Sequence, residues 1–180
     1  MQTLEQANQR AADLHWLALL LTGGCETGVD VVVDTIDSQD ATNPFFSTWM
    51  LAWSRRVFIA KALAAIREDL AASARRTEIK RADKLALPAR TWVLDQGTTK
   101  VHLERALLAI DVFPRAAVLL SVFEKVPLKD AAILLNADPG LVRKAQMFGL
   151  RELTLNLARM QGWTPTPARS DVLISELQHA

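Results

Sequence analysis

The chain has 180 residues, half of them hydrophobic, and a formal net charge of +1, so it can bury a sizeable core in one domain or two small ones. Its one cysteine, Cys25, excludes an internal disulfide framework and favours a reducing compartment, and three scattered histidines add no metal-ligand cluster. The absence of a basic leader and of an apolar run near 20 residues predicts a cytoplasmic protein that is not inserted in a membrane.

No group of side chains in the sequence predicts catalysis. A nucleophile, a base and a group to orient the base are not found together. The glycine-rich segment 23–28 is not a phosphate-binding loop, because no lysine-serine pair follows it. We therefore expect a protein that is not an enzyme and that has no cofactor and no metal.

Apolar periodicity predicts helices along most of the chain. The first should cover 5–21 and stop at Thr22-Gly23-Gly24. Residues 27–36 fit a strand or a helix, and the helical neighbours favour a helix. A long helix should begin near Phe46, and its two apolar stripes predict a central position. Four more helices are expected at 102–110, 114–124, 128–135 and 141–160.

Between the two groups of helices the periodicity weakens and basic residues accumulate. The predicted fold is therefore all-α, with two small helical bundles joined by a basic linker and a helix-turn-helix in the second bundle. The expected boundaries are 1–72 for the first bundle, 73–100 for the linker, 101–160 for the second bundle and 161–180 for a tail.

Charge is divided along the chain. Residues 1–50 contain many acidic residues and a single base, Arg10, whereas residues 51–91 are strongly basic. Such blocks either neutralise each other in the fold or present two faces to differently charged partners.

The stretch "PLKDAAILLNADPGLVRKAQMFGLREL" indicates a short helix, a tight corner and a longer helix. Turn-forming residues from Asn136 to Gly140 separate the two apolar stripes, and Arg143 and Lys144 follow at once. This is the sequence form of a helix-turn-helix, in which the second helix enters a DNA groove, and also of any two packed helices.

Residues 102–158 resemble region four, the promoter-recognition domain, of bacterial RNA polymerase sigma factors, especially the extracytoplasmic-function group. The resemblance rests on the helix start Pro114-Arg115, the turn Glu124-Lys125-Val126, and the segments "LKDAAILL" and "DPGLVR". The first half resembles region two of the same family, in "GVDVVVDTI" and in "FSTWMLAWSRRVFIAKALAAIR". Two departures are Val33, where the family usually has glutamine, and Arg56, where it usually has asparagine.

The candidates for contact with duplex promoter DNA lie off the predicted buried seam of the last helix or flank its partner helix: Leu141, Arg143, Lys144, Met147, Lys125 and Lys129. Arg143 is expected at base edges and Lys144 at a phosphate, since base contacts specify and phosphate contacts position.

The candidates for contact with the melted strand are four cations near an aromatic helix: Arg55, Arg56, Lys61 and Arg67. Five aromatic residues crowd the same region, from Phe45 to Phe58, and of these Trp49 and Trp53 are expected to pack in the core. By the resemblance, the acidic surface of Asp30, Asp34 and Asp37 docks on the polymerase.

The sequence therefore predicts a sigma factor-like protein that binds core RNA polymerase and promoter DNA, with an anti-sigma factor as a further partner that the resemblance allows. Two alternatives stay open. One is a degenerate sigma-like regulator without promoter-directing activity, for which the departures at Val33 and Arg56 argue. The other is a helical protein-interaction module that does not bind DNA.

Overall fold

The computed structural model describes residues 4–24, 44–81 and 97–163, and within these ranges the protein is all-α, without a strand. The predicted all-α class is confirmed. The helices in chain order are α1 (Leu4–Thr22), α2 (Pro44–Ala65), α3 (Arg67–Ile79), α4 (Lys100–Leu108), α5 (Val112–Val118), α6 (Leu128–Leu134) and α7 (Pro139–Met160). A short π-helical turn, Leu119–Phe123, continues α5. None of these helices combines the length and the apolar character that crossing a bilayer demands.

The helix boundaries follow local chemistry. Helix α1 ends where predicted, because Gly23 adopts a positive φ of 76° and its N–H donates to the carbonyl of Leu19 at 2.8 Å. The single long helix predicted from Phe46 is in fact two helices, since the chain turns at Ile66 between α2 and α3. Ile66 itself is buried, so the break is held against the core.

One hydrophobic core joins both halves of the described chain. Its largest side chains include Leu20 of α1, Phe58 of α2, and Phe113 at the start of α5. Helix α7 contributes the seam that its sequence predicts: Val142, Ala145, Gly149, Leu153 and Leu157 are buried, at steps of three and four residues. Met160, expected to extend that seam, is exposed.

Helix α3 reaches into the segment that the sequence predicts as a linker. Residues 73–79 are helical, and Ser73 and Thr77 are buried. The hydroxyl of Ser73 accepts a hydrogen bond from the N–H of Phe113 at 2.9 Å, which fixes α3 to the beginning of α5. Residues 73–79 of the predicted linker are therefore part of helix α3. Residues 82–96 lie outside the described ranges.

A buried arginine, Arg115, contacts both halves of the described chain. Arg115 is 5% exposed, and its guanidinium donates to the carbonyls of Leu108, the last residue of α4, and of Ile110, at 3.2 Å each. Burial lowers the pKa of Arg115, whereas the nearby carboxylate of Asp111 opposes that shift. The guanidinium also lies beside Gly23, where a Cβ would stand 3.0 Å from one of its nitrogens.

Candidate nucleic-acid interface

The corner between α6 and α7 is built from residues that favour a tight reversal. Asn136 adopts a positive φ of 48°, which asparagine tolerates better than most residues. The side chain of Asp138 caps α7 by accepting from the N–H groups of Gly140 at 2.7 Å and Leu141 at 3.4 Å. Pro139 is the first helical residue, the position where its missing N–H costs nothing. The predicted corner is present, although α7 already includes Pro139 and Gly140.

The outer face of α7 starts one turn after this cap. Arg143 is exposed, and Met147, one helical turn further, is 68% exposed. Leu141 is half-buried and packs against the core. The first three turns of α7 therefore present a long cation and an apolar side chain to solvent, while Val142 and Ala145 face inward.

Two further predicted cations lie near the N-terminus of α6. Lys125 and Lys129 are both exposed, the first with a positive φ of 53° in the connection before α6 and the second in the first turn of that helix. Asp130, beside Lys129, is also exposed. The N-terminal end of α6 thus carries charges of both signs toward solvent.

Lys144 lies on a different side of α7 from Arg143. It is half-buried, and its ammonium donates to the backbone carbonyl of Glu78 at 2.6 Å, in the last turn of α3. It also lies over the ring of Phe148, 5.8 Å from the centroid. Lys144 is therefore bound within the protein rather than displayed with Arg143.

The four cations predicted for the melted strand do not form one surface. Arg55 makes a bidentate ion pair with Glu124, with nitrogen–oxygen distances of 2.5 and 2.6 Å, and this contact raises the pKa of the arginine. Arg56 and Lys61 are exposed, but at about 100° of rotation per residue they lie on different sides of α2. Arg67 is exposed at the start of α3.

The structure describes the side chain of one of the aromatic residues of the predicted site, but not the acidic residues predicted to bind the polymerase. Phe58, one of the aromatic residues near these cations, is completely buried in the core and cannot stack on a base. Asp30, Asp34 and Asp37, predicted to bind the polymerase, lie outside the described residues, as does the predicted helix at 27–36.

A groove that the sequence does not predict lies between α2, α3 and the end of α6. It has a volume of about 460 Å³, and alanines of α2 and α3 form one side of it while Ile133 to Asn136 form the other. Ile133 is 77% exposed there, and Arg67 supplies the positive charge. The apolar stripe predicted for α2 included Ala60 and Ala64, which are exposed and line this groove.

Across the residues that the structure describes, no group of histidine, cysteine, aspartate or glutamate side chains is arranged to hold a metal ion.

Comparisons of the chain with models of protein families, with curated proteins and with solved structures gave no match.

Proposed function

We propose that the protein is a sigma factor-like transcription initiation protein, which binds core RNA polymerase and recognises promoter DNA. The observation that carries the proposal is the outer face of α7: a capped helix that follows a short helix and a tight corner, with Arg143 and Met147 exposed in its first turns. This arrangement suits a helix that enters the major groove.

The chemistry of the exposed side chains fits duplex recognition. A guanidinium at Arg143 can donate two parallel hydrogen bonds to the O6 and N7 atoms of guanine, and the apolar side chain of Met147 can lie against a thymine methyl group. Lys125 and Lys129, both exposed near the N-terminus of α6, can bind phosphates and set the position of α7.

The first half would act on the polymerase and on the melted strand. Arg56, Lys61 and Arg67 are exposed cations, and such side chains bind the phosphates of a single-stranded backbone. The polymerase contact at Asp30, Asp34 and Asp37 is proposed from the sequence resemblance. Because few cations surround α7, its unaided affinity for DNA should be low, which a subunit delivered by a large polymerase can tolerate.

The proposal is tested by mixing the purified chain with a bacterial core RNA polymerase. We expect the two to co-purify, and the pair to make discrete run-off transcripts from a pool of templates with randomised upstream sequence. Core polymerase alone, and polymerase with heat-unfolded chain, are the controls. If the folded chain neither co-purifies with the polymerase nor directs any transcript, the proposal is rejected.

A second candidate function is that of a sigma-like regulator that does not direct initiation. The groove beside Arg67 favours it, because an alanine-lined groove with exposed Ile133 could accept a helix of a protein partner. The same experiment separates the two functions, since the regulator would bind polymerase or DNA and still yield no transcripts.

A further inference from the structure

The last turn of α3 lies against one side of α7, and three contacts hold it there. The ammonium of Lys144 donates to the carbonyl of Glu78. Lys80, directly after α3, pairs with the carboxylate of Glu152 and lies 5.5 Å from the centroid of the Phe148 ring. Residues 78–80, with these contacts, are called the α3 clasp below.

The clasp covers the side of α7 that a bound DNA strand would need. Lys144, Phe148 and Glu152 follow one another at steps of four residues, so they form a single stripe along α7. The major groove is only about 12 Å wide, so a helix that enters it has phosphates close to both of its sides. In the structure, one of those sides is occupied by α3.

Opening the clasp exposes little apolar surface of α3, and it uncovers the ring of Phe148, which is 8% exposed. Thr77 is the last buried residue of α3, whereas Ile79 is 81% exposed and buries almost no apolar surface. The contacts beyond Thr77 involve exposed or half-buried charges, and such pairs contribute little to stability, about 0–1 kcal/mol each. Phosphates therefore compete readily with Glu152 and with the Glu78 carbonyl for the two lysines.

We infer that the α3 clasp is an autoinhibitory contact that holds α7 in a state of low DNA affinity. The inference rests on the proposed function of α7. Release of the clasp uncovers the side of α7 and frees Lys144 and Lys80, so two cations become available to phosphates. DNA affinity then rises, and so does its dependence on salt, by about 0.9 in the logarithmic slope for each new phosphate contact.

The test compares Glu152→Gln with Asp130→Asn in binding to a random-sequence duplex, measured by fluorescence anisotropy over a range of salt concentrations. Both variants lose one carboxylate, but Asp130 is exposed and makes no ion pair within the described ranges. We expect Glu152→Gln to bind about fivefold more tightly than the wild type, the lower end of typical allosteric coupling. It should also show a steeper salt slope, while Asp130→Asn changes affinity less than twofold.

Equal gains in affinity for the two variants would overturn the clasp and leave the proposed function intact. An absence of DNA binding by every variant at low salt would overturn both. A second readout is amide hydrogen exchange at residues 78–81, where the N–H of Lys80 donates to the carbonyl of Arg76 at 3.1 Å. Added duplex should accelerate exchange there and leave Leu70 to Thr77 protected; unchanged exchange in 78–81 with DNA bound would contradict the inference.

Discussion

Gly149 of α7 lies directly against the backbone of Pro114 in α5. A Cβ atom at Gly149 would stand 2.7 Å from the carbonyl oxygen of Pro114 and 2.6 Å from a methyl group of Val118. Because one of these atoms belongs to the backbone, a rotamer change cannot relieve the overlap. The close crossing of α5 and α7 therefore depends on a glycine at this position.

The substitution Gly149→Ala should destabilise the protein by about 1–3 kcal/mol, the usual cost of adding a carbon to a closely packed core. The free energy of unfolding from urea titration measures it. Gly24→Ala is the matched control, since a Cβ at Gly24 meets no atom within 4 Å. A loss for Gly149→Ala no larger than that for Gly24→Ala would contradict the close crossing.

The ion pair of Arg55 with Glu124 connects α2 to the end of the π-helical turn, and we expect it to contribute modestly to stability. Both guanidinium contacts are short, but the Arg55 side chain is 41% exposed, so solvent weakens the pair. A double-mutant cycle with Arg55→Ala and Glu124→Ala should give a coupling energy near 1 kcal/mol that decreases in high salt. Zero coupling at low salt would show that the pair does not persist in solution.

The same pair predicts a difference between neighbouring arginines in binding single-stranded DNA. Arg55 is held by Glu124, whereas Arg56 is exposed. Arg56→Ala should therefore weaken binding to an oligo-deoxythymidine more than Arg55→Ala does, and it should lower the salt slope by about 0.7, the value for one phosphate contact on a single strand. Fluorescence anisotropy with both variants measures this, and the opposite order of effects would refute the assignment.

Asp111 predicts how stability depends on pH. Its carboxylate accepts two hydrogen bonds from Arg76, at 2.8 and 2.9 Å, and one from the N–H of Val112, and the contact with Arg76 is the main reason that the pKa of Asp111 is lowered. A lowered pKa in the folded state means that the stabilising effect is complete above about pH 5, one unit above the ordinary aspartate pKa of about 4. It is lost as the pH falls through the lower folded value.

The difference in unfolding free energy between the wild type and Asp111→Asn should therefore be largest near neutral pH and shrink below about pH 4. Urea titrations at several pH values measure it. Asp130→Asn serves as the control, because its carboxylate makes no ion pair in the part of the chain that the structure describes. A constant difference for Asp111→Asn across this range would contradict the role of the pair with Arg76.

Much of the fold follows from local sequence signals. The buried seam of α7 could be predicted because small and apolar residues recur at steps of three and four from Val142 to Leu157. The end of α1 could be predicted because Gly23 can adopt a positive φ. The docking of α3 could not be predicted, since Ser73 and Thr77 are small polar residues in a basic segment and show no apolar period. Their burial depends on α5, far along the chain.

The candidate site could likewise be predicted only in part from the sequence. The exposure of Arg143 and Met147 follows from their position off the seam of their own helix. The environments of Lys144 and Arg55 could not be predicted, because their partners Glu78 and Glu124 are 66 and 69 residues away in the chain. Spacing within one helix shows which side chains face outward, but not which distant element will cover them.

The most direct test of the account is the sequence preference of duplex binding by Arg143→Ala, measured by selection from a pool of randomised duplexes at low salt, with Arg159→Ala as the control. Both arginines are exposed on α7, and Arg159 lies in its last turn, far from the corner with α6. We predict that the wild type selects duplexes with guanine at a fixed position and that Arg143→Ala loses this preference, worth about 1–3 kcal/mol of discrimination, while Arg159→Ala keeps it. Equal effects of the two substitutions, or wild-type binding without a sequence preference, would contradict the assignment of α7 as the helix that binds DNA.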